Sequence, residues 1–133
     1  MIALHIQSSS TTPTVVVDPA ENLIRIEGSS YPSHPEAFFQ PIMDHVQQWT
    51  DIGFDTITID FALHYVNTSS SKYLLKLLQI IDRAYTQGKD FTLNWHYLEY
   101  DTDIKEQGEM IFTKLQMNRN LVLVQEENVS EKS

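Results

Sequence analysis

Thr56-Ile57-Thr58-Ile59-Asp60-Phe61-Ala62-Leu63, followed by Tyr65-Val66-Asn67-Thr68-Ser69-Ser70-Ser71-Lys72, is the stretch that decides the fold. The first run alternates with the period of a strand, and the leucine-rich run after Lys72 has the period of a helix. A strand therefore hands over to a helix, with four consecutive hydroxyl residues at the junction. At such a helix start the first backbone N–H groups lack partners and the dipole presents partial positive charge, so oxygen-rich or anionic groups are stabilised. Asn, Ser and Thr are also the ordinary N-caps, and one cap needs one such residue. Five in a row exceed that need, and a phosphoryl group added here would be well placed.

Working back from the junction, Ala3–Ile6, Thr14–Asp18 and Leu23–Glu27 read as three short strands. The last two are joined by the turn residues Pro19-Ala20-Glu21-Asn22. Residues 28–35 read as a loop. From Pro35 to Thr50, Phe38, Ile42, Val46 and Trp49 recur at helical spacing. Pro41 lies inside that run, so the helix either begins there after an irregular turn or is kinked there.

Working forward, the second helix runs from about Ser69 to Gln87 and stops at Gly88. Lys72, Lys76, Gln79 and Arg83 form its polar stripe. Its apolar arc is too wide for a sheet alone to cover, which calls for a neighbouring helix or a partner. Asp90–Tyr97 alternates as a strand, and 103–117 reads as a third helix with Gly108 in its apolar stripe, a sign of close backbone approach. Leu121–Val124 reads as a short buried strand. The order β-β-β-α-β-α-β-α-β makes this a single α/β domain over residues 1–124, with a mixed β-sheet, an antiparallel opening and parallel crossovers. Residues 125–133 read as a flexible acidic tail.

Composition excludes several functions. The chain has 133 residues, 41% of them apolar, enough for one core. Nine basic residues against 18 acidic ones, with no basic cluster, disfavour nucleic acid and anionic membranes. No window approaches the ~18 apolar residues of a membrane span. The N-terminus lacks the layout of a signal peptide, so the expected location is cytoplasmic. Without cysteine there is no thiolate zinc site, disulfide or cysteine nucleophile.

Catalytic constellations fail one by one. The acidic run from Glu99 to Glu106 starts like a calcium loop, but Glu106 stands where glycine is required and Phe112 where the bidentate glutamate belongs. It reads instead as the capped, acidic first turn of the third helix. The five histidines lack metal-ligand spacing, although His64 and His96 can face each other from neighbouring strands. No phosphate-binding glycine loop or nucleophile elbow is present. The residues favour an interaction domain over an enzyme, with no catalytic residue, metal or cofactor. The alternative is a small-ligand module in which Tyr31, Trp95 and Tyr97 line a closed pocket.

Thr12-Pro13-Thr14-Val15, Gly28-Ser29-Ser30-Tyr31-Pro32, the Asn67-to-Lys72 segment and Asn94-Trp95-His96-Tyr97 fall in an order that resembles the SiaC family of bacterial regulatory phosphoproteins, over about residues 12–124. The resemblance implies a STAS-like, anti-anti-sigma-factor-type domain that is not an enzyme. It implies a Ser/Thr switch at Thr68, ahead of Ser69, Ser70 and Ser71, with Asn67 and Lys72 beside the phosphate. The implied writer is a Ser/Thr kinase of the histidine-kinase-like ATPase type, and the implied eraser a PP2C-type phosphatase. The unphosphorylated form is expected to bind and activate a diguanylate cyclase, a GGDEF protein, through Tyr31, Pro32, Asn67, Thr68, Ser69 and Lys72. Cyclic di-GMP output and biofilm control follow. Partner switching on a different effector is the neighbouring reading.

Overall fold

The computed structural model describes residues 1–125. Apart from Gln125, the expected tail lies outside the described residues. Six strands form one sheet in the spatial order β1 to β6: Leu4–Ile6, Thr14–Asp18, Leu23–Ser30, Thr56–Val66, Asp90–Leu98 and Asn118–Val124. β1–β2 and β2–β3 pair antiparallel, and β3–β4, β4–β5 and β5–β6 pair parallel. Helices α1 (Pro35–Ile52), α2 (Thr68–Arg83) and α3 (Thr102–Phe112) make the three crossovers. Each crossover advances one place in the same direction, and right-handed connections then put all three helices on one face. Burial agrees, since Ile57, Ile59, Phe61 and Leu63 of β4, and Phe91, Leu93 and Trp95 of β5, form the core beneath them.

Among the described residues, the opposite face carries no helix, and it is polar. Asp60 accepts a hydrogen bond from Asn94 Nδ2 at 3.0 Å and lies 3.7 Å from Arg25 Nη1 and 3.6 Å from His96 Nε2. Asn120 extends this row to β6 by donating to Asn94.

The wide apolar arc of α2 is covered by the sheet and by α1, where the Phe39 and Tyr73 rings stack at 5.3 Å. Leu74, Leu77, Leu78 and Ile81 are buried. Gly108 of α3 lies against Trp95, whose indole Nε1 donates to the Ile104 carbonyl at 2.8 Å. A Cβ on Gly108 would stand 2.5 Å from Trp95 Cδ1, so the close approach expected there is real. The Gly108→Ala chain should lose about 1–3 kcal/mol through overpacking. An unfolding midpoint in urea equal to wild type would contradict that contact.

Several boundaries differ from the sequence reading. The loop expected from Gly28 is instead the end of β3, and β4 runs past Leu63 to Val66. Gly28 pairs with Leu63 but Ser29 pairs with Tyr65, so His64 is an extra residue in the ladder. Such a bulge shifts the alternation by one, so Tyr65 points out and Val66 in, and the period-two signal stops short of the strand. Gly28 adopts φ +118°, open to glycine at little cost. α1 is one continuous helix from Pro35, with Pro41 on its exposed side, so no irregular turn precedes it.

α2 ends at Arg83 and α3 at Phe112, both short of expectation. The Asp82 carboxylate accounts for the second, because it accepts the backbone N–H groups of Gln116 and Met117 at 3.0 and 2.9 Å. Those amides therefore leave the helical ladder. Gly88, at φ +99°, serves the turn before β5. β6 is an edge strand with Leu123 and Val124 exposed, not a buried one.

Candidate functional site

The strand-to-helix junction is built from three short segments. Ser30 ends β3, Val66 ends β4 beside it, and Asn67 opens α2. Asn67 N–H donates to the Ser30 carbonyl at 3.1 Å, which joins the strand end to the helix start. Asn67 is the N-cap, its Oδ1 accepting the Ser70 N–H at 2.9 Å, a role its short polar side chain favours.

The hydroxyls divide sharply in how they are used. Ser70 Oγ is buried and lies 2.8 Å from the buried Ser30 Oγ. Ser71 Oγ donates to Gln107 Oε1 of α3 at 2.8 Å. Ser69 is partly covered, whereas Thr68 is exposed at the first position of the helix. It lines a groove of about 220 Å³ between α2 and α3, together with Lys72, Leu75, Gln107, Met110 and Lys114 among others. The chemistry available is that of an accessible hydroxyl in the field of a helix N-terminus, with an ammonium one turn away at Lys72.

Of the other residues expected at the site, Tyr31 is exposed and Pro32 is buried. Tyr31 donates its hydroxyl to the Ser10 carbonyl at 2.8 Å and meets Tyr65 edge-on at 5.7 Å between ring centroids. Tyr65 was missed by sequence reasoning, because its outward direction depends on the bulge at His64. Lys114 and Gln107 were missed because only the packing of α3 on α2 brings them to the groove that Thr68 also lines.

The aromatic residues of the ligand-module reading do not share a pocket. Trp95 is in the core, Tyr97 lies under Lys105, and Tyr31 is at the surface. His64 and His96 line one open groove on the helix-free face, but among the described residues no three potential metal ligands cluster. Asp101 caps α3 through the Ile104 N–H at 3.1 Å, as the acidic run suggested. No described helix is long and apolar enough to cross a membrane.

The fold and the junction define a class: a small α/β regulatory domain that presents an accessible hydroxyl at the start of the helix after its central strand. Residues 6–124 match the family described as "SiaC family regulatory phosphoprotein". The chain belongs to that family. It is 29% identical over 109 residues to an uncharacterised protein of Pseudomonas aeruginosa strain UCBPP-PA14, covering 82% of this chain and 86% of that one. It is similar in structure to SiaC of Pseudomonas aeruginosa, with a TM-score of 0.85, 26% identity, and 93% and 100% of the two chains covered. A second similar structure is diguanylate cyclase SiaD in complex with its activator SiaC from the same organism, also at TM-score 0.85 and 26% identity, over 91% of this chain and 99% of that one.

Proposed function

We propose that this chain is a non-enzymatic cytoplasmic switch whose unphosphorylated form binds and activates a diguanylate cyclase, and that phosphorylation of Thr68 releases the cyclase. The observation that carries the reading is the division of the hydroxyls: Ser70 and Ser71 are held in internal hydrogen bonds, while Thr68 is exposed. Support for the effector comes from the similar protein SiaC, an activator of the diguanylate cyclase SiaD. The writer is a Ser/Thr kinase of the histidine-kinase-like ATPase type and the eraser a PP2C-type phosphatase.

The physical logic needs no change of fold. A phosphate adds roughly −1.5 to −2 charge and three acceptor oxygens, which a helix N-terminus tolerates. Three residues before Thr68 stands the exposed ring of Tyr65, in edge contact with the exposed ring of Tyr31, a side-chain type enriched where protein partners bind. A dianion added to a contact surface must be stripped of water when the partner docks, at a cost that dissociates it.

The test is reconstitution. The unmodified chain should raise cyclic di-GMP synthesis by the GGDEF enzyme of the same cell. Incubation with the kinase and ATP should add one phosphoryl mass at Thr68 and abolish that stimulation. Phosphate mapped to another residue, or stimulation unchanged by it, would count against the switch. A GGDEF enzyme indifferent to the unmodified chain would point to another effector.

A further inference from the structure

Among the described residues, the buried polar ones are two serines, Ser30 at the end of β3 and Ser70 in the first turn of α2. They stand 40 residues apart in sequence, and their hydroxyl oxygens meet at 2.8 Å, one donating to the other. The Ser30 carbonyl also accepts the Asn67 N–H at 3.1 Å, and Asn67 Oδ1 accepts the Ser70 N–H at 2.9 Å. The three bonds close a circuit through Ser30, Asn67 and Ser70. Thr68 lies between the two α2 residues that the circuit holds, and its own hydroxyl is not one of its members. Stability alone gives little reason for hydroxyls in such a place. A buried hydroxyl pair is close to neutral against two apolar groups of the same shape, whereas one hydroxyl left without its partner is costly. What a closed polar network supplies is a single arrangement of the segments that it joins.

Resting on the reading of Thr68 as the acceptor, we propose that Ser30 is a positioning residue for its phosphorylation: the circuit fixes the first turn of α2 against the end of β3, so that the Thr68 hydroxyl is held in one place while the kinase acts. The transfer forms a bond from Thr68 Oγ1 to the γ-phosphorus of ATP and breaks the bond from that phosphorus to the β-phosphate oxygen, releasing ADP and the hydroxyl proton. Such an in-line displacement requires the attacking oxygen to be aimed at phosphorus, and a displacement of about an ångström lowers the rate of transfer. First turns are where helices fray, because their N–H groups lack partners within the helix. Asn67 satisfies one of those groups, but a cap alone ties the helix only to its own leading residue. Ser30 ties both ends of the turn to the sheet, Asn67 through its carbonyl and Ser70 through its hydroxyl. The end of β3 is held in its turn, since the Tyr31 N–H donates to the Thr11 carbonyl at 2.8 Å.

The experiment compares wild type, Ser30→Ala, Ser70→Ala and the double variant, using the full chain and the kinase of the same cell. Each single variant should unfold at a lower temperature than wild type, since it strands a buried hydroxyl, and the double variant should recover most of that loss. In the double variant the kcat for phosphorylation of Thr68 should nevertheless stay about tenfold below wild type, with KM within about twofold. A merely structural role would return kcat to wild type along with stability. Amide exchange on the unmodified chain gives a second readout that needs no kinase. The N–H groups at positions 70 and 71 should exchange about tenfold faster in the double variant, while those of residues 77–81 keep their wild-type rates. If a single variant fails to fold, the double variant carries the test. Recovery of kcat in the double variant, a change confined to KM, or unaltered exchange at positions 70 and 71 overturns the positioning role. Phosphate found elsewhere by mass on the wild-type chain overturns the acceptor assignment instead, and exchange still decides whether the circuit holds the turn.

Discussion

Thr68→Glu leaves the chain folded and weakens its affinity for the cyclase by about tenfold or more, while Thr68→Ala binds as wild type does. Folding survives both changes, because the cap belongs to Asn67 and not to Thr68. An exposed first-turn position tolerates alanine within about 0.5 kcal/mol, and a carboxylate there complements the helix dipole. Binding responds differently. Burying an ion without a matched counter-charge costs several kcal/mol even after relaxation, and each 1.4 kcal/mol is a factor of ten in affinity. The loss is smaller than for phosphate, since glutamate carries one charge and reaches less far. Calorimetry with the cyclase checks the pair of variants, alongside thermal unfolding of each. Equal affinity for the glutamate variant and wild type, with both folded, would sink the switch as drawn. Loss of affinity in Thr68→Ala would show that the hydroxyl itself is a contact.

Leu78→Ala should cost about 2–5 kcal/mol of stability. Leu78 is fully buried in the helix-covered face, where α2 packs beside α1 and over the sheet. Removing its branched end deletes transfer free energy and leaves a cavity whose walls come from separate elements, which limits collapse. Of a total stability of about 5–15 kcal/mol, that is a large fraction. Urea unfolding with an unchanged slope and a lower midpoint is the expected result. A loss under about 0.5 kcal/mol would mean that α2 does not pack as described.

Much of the architecture was legible because it rests on local periodicity. The alternation of Thr56–Leu63 and Asp90–Tyr97 gave the central strands, and the leucines after Lys72 gave α2. What escaped was set by contacts distant in sequence. The Asp82 carboxylate takes the amides of Gln116 and Met117 that would otherwise extend α3, and no helix propensity there records it. The bulge at His64 shifts the phase of β4, so Tyr65 and Val66 fall outside a pattern sought with a fixed period. At the site, Thr68 could be singled out from its motif. That Ser70 is locked to Ser30 and Ser71 to Gln107 required the folded chain. Lys114 left no mark at all, since nothing about an isolated lysine in a polar turn announces which groove it will line.

The order of strands across the sheet is also their order along the chain. Each strand therefore pairs only with its predecessor and its successor, and no ladder waits for a segment made much later. During synthesis the antiparallel β1–β3 meander can emerge first, and each helix-and-strand unit can then dock on an edge already in place, from the N-terminal side onward. Thr68 and its cap would be assembled as soon as β4 and α2 have docked. The α3 wall of the groove arrives only with the last unit, so a nascent chain would present the hydroxyl before the groove beside it is complete.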